Sequence, residues 1–302
     1  MTDPAPRPGL AALWMIGSIV SFSTMAVAGR QAGLRFDTFE IMTYRSAVGF
    51  GLLLLILVVT GRLPAVRTRR PGLHAVRNVA HFTGQNLWFY ALSAIPLAQV
   101  FALEFTSPLL VLLLAALFLG ERMTPVKVVA AAIGFLGVLL VLRPDRTPVS
   151  PGHLAAFAAA LGFAVTAILT KRLTRTESVL TIMFWLTATQ LVFGIVAGLV
   201  YDGRLAWPGA ADWPWLVLIG ICGLTAHFSL TTALSLAPAS VVMPIDFVRL
   251  PIIAMIGAAI YNEDLQWPVF AGAALIFGAN YANILDGQRR ARAERMPAPA
   301  DL

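Results

Sequence analysis

Residues 91–105 read ALSAIPLAQVFALEF, and residues 233–247 read ALSLAPASVVMPIDF. Each segment runs from an Ala-Leu-Ser triplet through a proline (Pro96, Pro238) to an acid followed by phenylalanine (Glu104-Phe105, Asp246-Phe247). The offset is 142 residues. The same offset brings Arg30 onto Arg172 and Glu121 onto Glu263. The chain is therefore read as two copies of one unit, and self-similarity of this kind outranks any local motif in deciding a fold.

What surrounds the two segments sets their solvent. The 302 residues are 58% hydrophobic and 12% charged, with mean hydropathy +0.79. A soluble domain carries about twice that charged fraction. Apolar runs of about 20 residues recur along the whole chain, each the length of a membrane-crossing helix. In lipid the backbone must satisfy its own hydrogen bonds, which helices of this length do. The pattern predicts an all-α integral membrane protein with ten transmembrane helices at 10–30, 38–60, 72–94, 97–119, 124–143, 152–172, 179–201, 213–236, 239–260 and 265–286. Five spans per copy is an odd number, so the second copy enters the bilayer upside down. The expected organisation is an N-terminal tail (1–9), a first five-helix repeat (10–143), a linker (144–151), a second inverted repeat (152–286) and a disordered cytoplasmic tail (287–302).

Charge supports this topology. Fourteen of the 22 Lys and Arg fall on the side of the two termini and five on the other, so both termini are expected in the cytoplasm, with the chain in the inner (plasma) membrane. The net charge of +7 reflects this loop bias and implies no nucleic-acid partner. Membrane lipid and a small-molecule substrate are the expected partners. Cys222 is the only cysteine, which excludes an internal disulfide and leaves no cysteine metal motif. No metal site, cofactor or catalytic residue is expected. Arg7, an apolar run and Ala26-Val27-Ala28 could pass for a signal peptide, but that segment is also the first helix of the repeat, matching residues 152–172.

Three arginines, Arg45, Arg77 and Arg249, fall within spans. A charge in the bilayer costs several kcal/mol unless it is paired or wetted, so such residues point to a site. Counting about 1.5 Å per residue, Glu104 lies about 10 Å below one surface and Asp246 about 10 Å above the other. Arg249 is one turn from Asp246 on the same face. His81 falls near the midplane, and His227 level with Asp246. The candidate cavity is His81, Gln85, Trp88, Phe101, Glu104, Phe163, His227, Asp246 and Arg249, with Arg249 as a bidentate holder of a substrate carboxylate. The structural alternative is fixed ion pairs, Glu104–Arg45 and Asp246–Arg249. Arg77, one turn inside its helix, is expected to snorkel to the interface. Glu121 and Glu263 are expected to cap or brace the repeat. Pro108 and Pro251 fall mid-span in helices four and nine, where each removes a helix hydrogen bond and invites a gating kink. Small residues in helices five and ten (Ala130 to Gly137, Ala271 to Gly278) allow tight packing inside a monomer or, as the alternative, in a homodimer.

These residues resemble the drug/metabolite transporter superfamily, in particular its ten-helix EamA-type exporters. The resemblance rests on the tandem five-helix halves and on residues 108–122, PLLVLLLAALFLGER, echoed by Asn262-Glu263 in the second copy. It implies transport without ATP by alternating access. The similar YddG-like branch implies export of hydrophobic and aromatic amino acids, with drugs or other metabolites as the alternative. HExxH, GxSxG and P-loop motifs are missing, which argues against an enzyme. A channel would favour rings of like residues rather than inverted halves.

Overall fold

The computed structural model describes residues 7–119, 123–143, 148–173, 176–236, 242 and 245–295. Gly120, Glu121, Arg122 and Pro238 lie outside the described residues, and so does the part assigned to Glu121. The described chain is helical: α1 (Pro8–Ala32), α2 (Thr38–Val59), a 3-10 turn (Leu63–Ala65), α3 (Pro71–Ala94), α4 (Leu97–Glu104), α5 (Ser107–Leu119), α6 (Pro125–Leu142), α7 (Pro151–Leu173), α8 (Val179–Asp202), α9 (Trp213–Leu236), α10 (Arg249–Tyr261) and α11 (Trp267–Arg295).

Local chemistry sets the helix ends. Asp37 caps α2, its side chain accepting from the Glu40 amide while Glu40 accepts from the Asp37 amide. Thr124 and Ser178 cap α6 and α8. Pro8, Pro71 and Pro125 occupy first-turn positions, where a missing amide costs nothing. Asn262 ends α10 with φ 52°, a left-handed cap that asparagine tolerates.

Seven helices are long and apolar enough to cross a membrane alone. α3 is not among them, because it carries buried His74, Arg77, Asn78, His81, Gln85 and Asn86 along its length. These polar residues lie on its inward face, while Val76, Val79 and Tyr90 remain exposed on the other.

The duplication is visible in the helices. α3 and α9 have equal length and lie 142 residues apart, as do α5 and α10. The halves pack reciprocally: α1 lies on α9, α3 on α7, α2 on α8, α4 on α10 and α6 on α11. Each pair takes one helix from each half. The fold is thus two inverted five-helix repeats embracing across a pseudo-two-fold axis. Phe105 and Phe247, equivalent in the repeat, touch with ring centroids 4.5 Å apart. At two crossings glycine permits backbone contact: a Cβ on Gly162 of α7 would lie 2.9 Å from the Gly84 Cα, and one on Gly272 of α11 would lie 2.5 Å from the Gly137 carbonyl oxygen. The small residues of α6 and α11 therefore serve packing between repeats.

Three expectations are corrected. The fourth span is not one helix over 97–119 but two, α4 and α5, broken at Phe105-Thr106; the turn at Phe247-Val248 precedes α10 in the same way. Pro108 and Pro251 consequently lie in the first turns of α5 and α10 and do not kink a continuous helix, since a first-turn proline has no hydrogen bond to remove. The last helix runs to Arg295, past the end expected at residue 286, so the first part of the tail is helical.

Candidate functional site

The two broken spans meet where α4 packs on α10. Glu104 is the last residue of α4, and Arg249 is the first of α10 with Asp246 just before it. The Arg249 guanidinium donates to Asp246 Oδ2 at 2.9 Å and to Glu104 Oε1 at 3.1 Å. Glu104 also accepts from the Trp88 indole at 2.8 Å. Phe22, Phe101 and Phe105 surround the guanidinium, with ring centroids 4.8, 4.9 and 5.2 Å from its central carbon. Arg249 is 3% exposed. Aromatic faces favour the cation, and the carboxylates offset the loss of water. One base faces two acids, so the cluster has an acid in excess. Arg249 Nε and Nη1 and Asp246 Oδ1 are buried with no hydrogen-bond partner, leaving donors and an acceptor side by side.

Of the sequence candidates, Trp88, Phe101, Glu104, Asp246 and Arg249 come together here. His81, Phe163 and His227 form an adjoining group: His81 lies 5.8 Å from the Phe163 ring and 5.7 Å from His227. Phe22 joins the groups, standing edge-on to His227 at 5.4 Å and over Arg249. Gln85 is buried on α3 between His81 and Trp88. Pro108 and Pro251 flank the breaks rather than the cluster.

One pairing and one placement differ from expectation. Glu104 pairs with Arg249 and not with Arg45. Arg45 instead lies against α9, within van der Waals reach of Gly223. Arg77 does not snorkel: it is 5% exposed and donates to Thr170 Oγ1 and Asn78 Oδ1, both at 3.0 Å. Depth in a span says nothing about which way round the helix a side chain faces, and both arginines face inward.

Charged contacts also tie the two ends of the bundle. At the end where α1 finishes, Arg30 pairs with Glu263 and donates to the Leu92 and Ile95 carbonyls, while Glu263 accepts from the Leu97 amide at 2.9 Å. At the other end Glu177 accepts from Thr68, from the Arg69 amide and, at 2.7 Å, from His74 Nε2. Sequence reading missed this group; a lone acid in a polar loop carries no signal until the loops are brought together.

A helical bundle of inverted halves, with a charged and aromatic-walled cluster where two broken helices meet, is the build of a membrane transporter. The chain belongs to the EamA-like transporter family, whose model matches residues 9–143 and 150–284. It is 32% identical over 294 residues to a riboflavin transporter of Rhizobium johnstonii, covering 97% of this chain and 95% of that one. It is 28% identical over 281 residues to an S-adenosylmethionine uptake transporter of Rickettsia bellii (92% and 94% covered). A pseudopaline exporter of Pseudomonas aeruginosa is 27% identical over 259 residues (85% and 89%). A crystal structure at 21% identity superposes with a TM-score of 0.65 over 92% of this chain and 98% of its own, which shows the shared fold. The chain is a multi-pass membrane transporter of a small molecule.

Proposed function

We propose that this transporter carries a small metabolite bearing a flat ring, without ATP and by alternating access, with the Glu104–Arg249–Asp246 cluster and its aromatic wall as the substrate site. The observation that carries the reading is the placement of that cluster, at the breaks of two helices and between the halves, where a rocking motion exposes it to each side in turn. The ring faces of Phe22, Phe101 and Trp88 suit a planar partner. Riboflavin and S-adenosylmethionine, named for relatives at 32% and 28% identity, both carry a flat nitrogen heterocycle. The second reading is hydrophobic or aromatic amino acids, whose ring fits the same wall and whose ammonium suits the excess acid. That acid is also the seat for a coupling proton. The Lys and Arg bias supports an orientation with both termini in the cytoplasm, and the chain is proposed to work as a monomer.

The test is counterflow in proteoliposomes with labelled riboflavin, S-adenosylmethionine and phenylalanine, measured in both directions. Saturable, ATP-independent counterflow of at least one is expected. Arg249→Ala is expected to lower it at least tenfold, because two buried acids lose their only cation. Absence of flux for the whole panel, or flux that requires ATP, would reject the reading.

A further inference from the structure

Buried charge usually finds a counter-charge, and Arg249 has two. Arg45, on α2, has none among the described residues. It is 8% exposed; among the described residues its only polar contact is the Met42 sulfur at 3.8 Å, and its Nε has no partner. Buried acids elsewhere in the described bundle are committed: Glu104 and Asp246 to Arg249, and Glu40 to the Asp37 and Ala206 amides. The guanidinium lines a cavity of about 20 Å³ between α2, α8 and α9, shared with Ser46, Thr187, Gln190 and His227. Gln190 is 1% exposed, and its Oε1 also lacks a partner. An uncompensated cation in a membrane bundle is expensive, and a pocket lined by it is a place for an anion.

We propose that the Arg45 pocket is a subsite for the carboxylate of the transported molecule. The inference rests on the transport reading and narrows its substrate class to carboxylate-bearing metabolites, S-adenosylmethionine and amino acids among them and riboflavin not. The cavity as it stands has room for about one small polar group, and the planar guanidinium presents the paired donors that suit a carboxylate oxygen entering there. Phe22 and His227 stand between this pocket and the acid-rich cluster. The carboxylate of the transported molecule is therefore placed at Arg45, apart from the two acids, and not at Arg249. This reverses the role first given to Arg249, which is already occupied by two carboxylates.

The test uses the full chain in lipid nanodiscs, at fixed pH and ionic strength, with melting followed against acetate, chloride, phenylalanine, phenylalaninamide and riboflavin. Acetate and phenylalanine are expected to raise the melting temperature, with the amide needing at least tenfold higher concentration for an equal shift. Arg45→Gln is expected to remove the acetate response and the preference for acid over amide, and Arg45→Lys to retain part of both. Gly223→Ala supplies a variant that keeps the charge, since its Cβ would lie 2.9 Å from the guanidinium and displace it; a several-fold weaker acetate response is expected. An acetate response equal in the parent and in both Arg45→Gln and Gly223→Ala overturns the proposal, as does no response of the parent to acetate. Stabilisation by chloride that phenylalanine and acetate fail to displace overturns it in favour of an inorganic anion only. If acetate binds through Arg45 but no panel compound is carried, the pocket stands and the transport reading falls.

Discussion

The two ends of the bundle are tied at the same places in the repeat by opposite charges. Arg35, in the α1–α2 loop, binds Asp212 ahead of α9 at 2.9 Å. Glu177, 142 residues later in the α7–α8 loop, binds His74 at the start of α3 and the loop before it. The job is the same: each loop is pinned to the helix that enters beside it. Sign and burial differ. The Arg35 side chain is 64% exposed and the Glu177 side chain 2%. The Arg30 end also carries the Arg30–Glu263 brace, whereas Arg172, the repeat counterpart of Arg30, is exposed. Duplication thus dictates where a loop is held and leaves the chemistry of the tie free to drift. Among the described residues, the Arg30 end thus carries a buried ion pair beyond its loop tie.

Breaking that extra brace is the severest way to test the difference. Glu263→Ala strands a half-buried Arg30 and leaves the Leu97 amide without its acceptor. Removing one partner of a buried ion pair costs about 3–5 kcal/mol, and the partial exposure here places the expected loss at the lower end. The measurement is thermal or denaturant unfolding in detergent. Arg172→Ala, at the repeat counterpart of Arg30, should change stability by less than about 0.5 kcal/mol, as an exposed substitution does. Equal losses for the two variants would refute the asymmetry.

The duplication made most of this architecture legible. The 142-residue register in Ala91-Leu92-Ser93 and Ala233-Leu234-Ser235 is the register of α3 and α9 themselves. Charges inside spans located Glu104, Asp246 and Arg249, because lipid leaves a lone charge few tolerable places. Sequence reading failed where the answer depends on rotation about a helix axis. Glu104 and Arg45 share a depth, but α4 packs on α10 while α2 packs on α8 and α9. Arg77 lies near a helix end, yet it points at Thr170 of α7. The break in the fourth span was also hidden, since a proline reads alike as a kink within a helix or as the first turn of a new one. Phe105, seen only as a mark of the repeat, proved to be part of the wall around Arg249.

A second, smaller effect separates the ends by pH. Burial opposes the charge on Glu177, yet hydrogen bonds from Thr68, His74 and the Arg69 amide hold its carboxyl below the usual carboxylate range. A depressed folded-state pKa contributes stability that is full above the unfolded value of about 4.3 and is lost as pH falls through the folded value. Glu177→Gln removes that contribution and should cost about 1–3 kcal/mol near neutral pH, the penalty for weakening a buried, charge-assisted set of bonds. Melting temperature followed from pH 7 to pH 3 should fall less steeply in the variant than in the parent. Parallel curves would show that Glu177 does not titrate with folding.

The exposed tie should matter least. Arg35→Ala removes a cation–carboxylate contact whose arginine is mostly in water, and such pairs contribute about 0–1 kcal/mol. Asp212 keeps its bond to the Gly209 amide at 2.9 Å, so the turn before α9 survives the substitution. The informative measurement is a double-mutant cycle of Arg35→Ala with Asp212→Asn, set beside one of His74→Gln with Glu177→Gln. The first coupling should be below about 0.5 kcal/mol and should vanish in high salt, because screening acts on exposed charges. The second should be larger and nearly indifferent to salt, because its partners are out of reach of solvent. Were both couplings small and salt-sensitive, burial would not be what distinguishes the two ties.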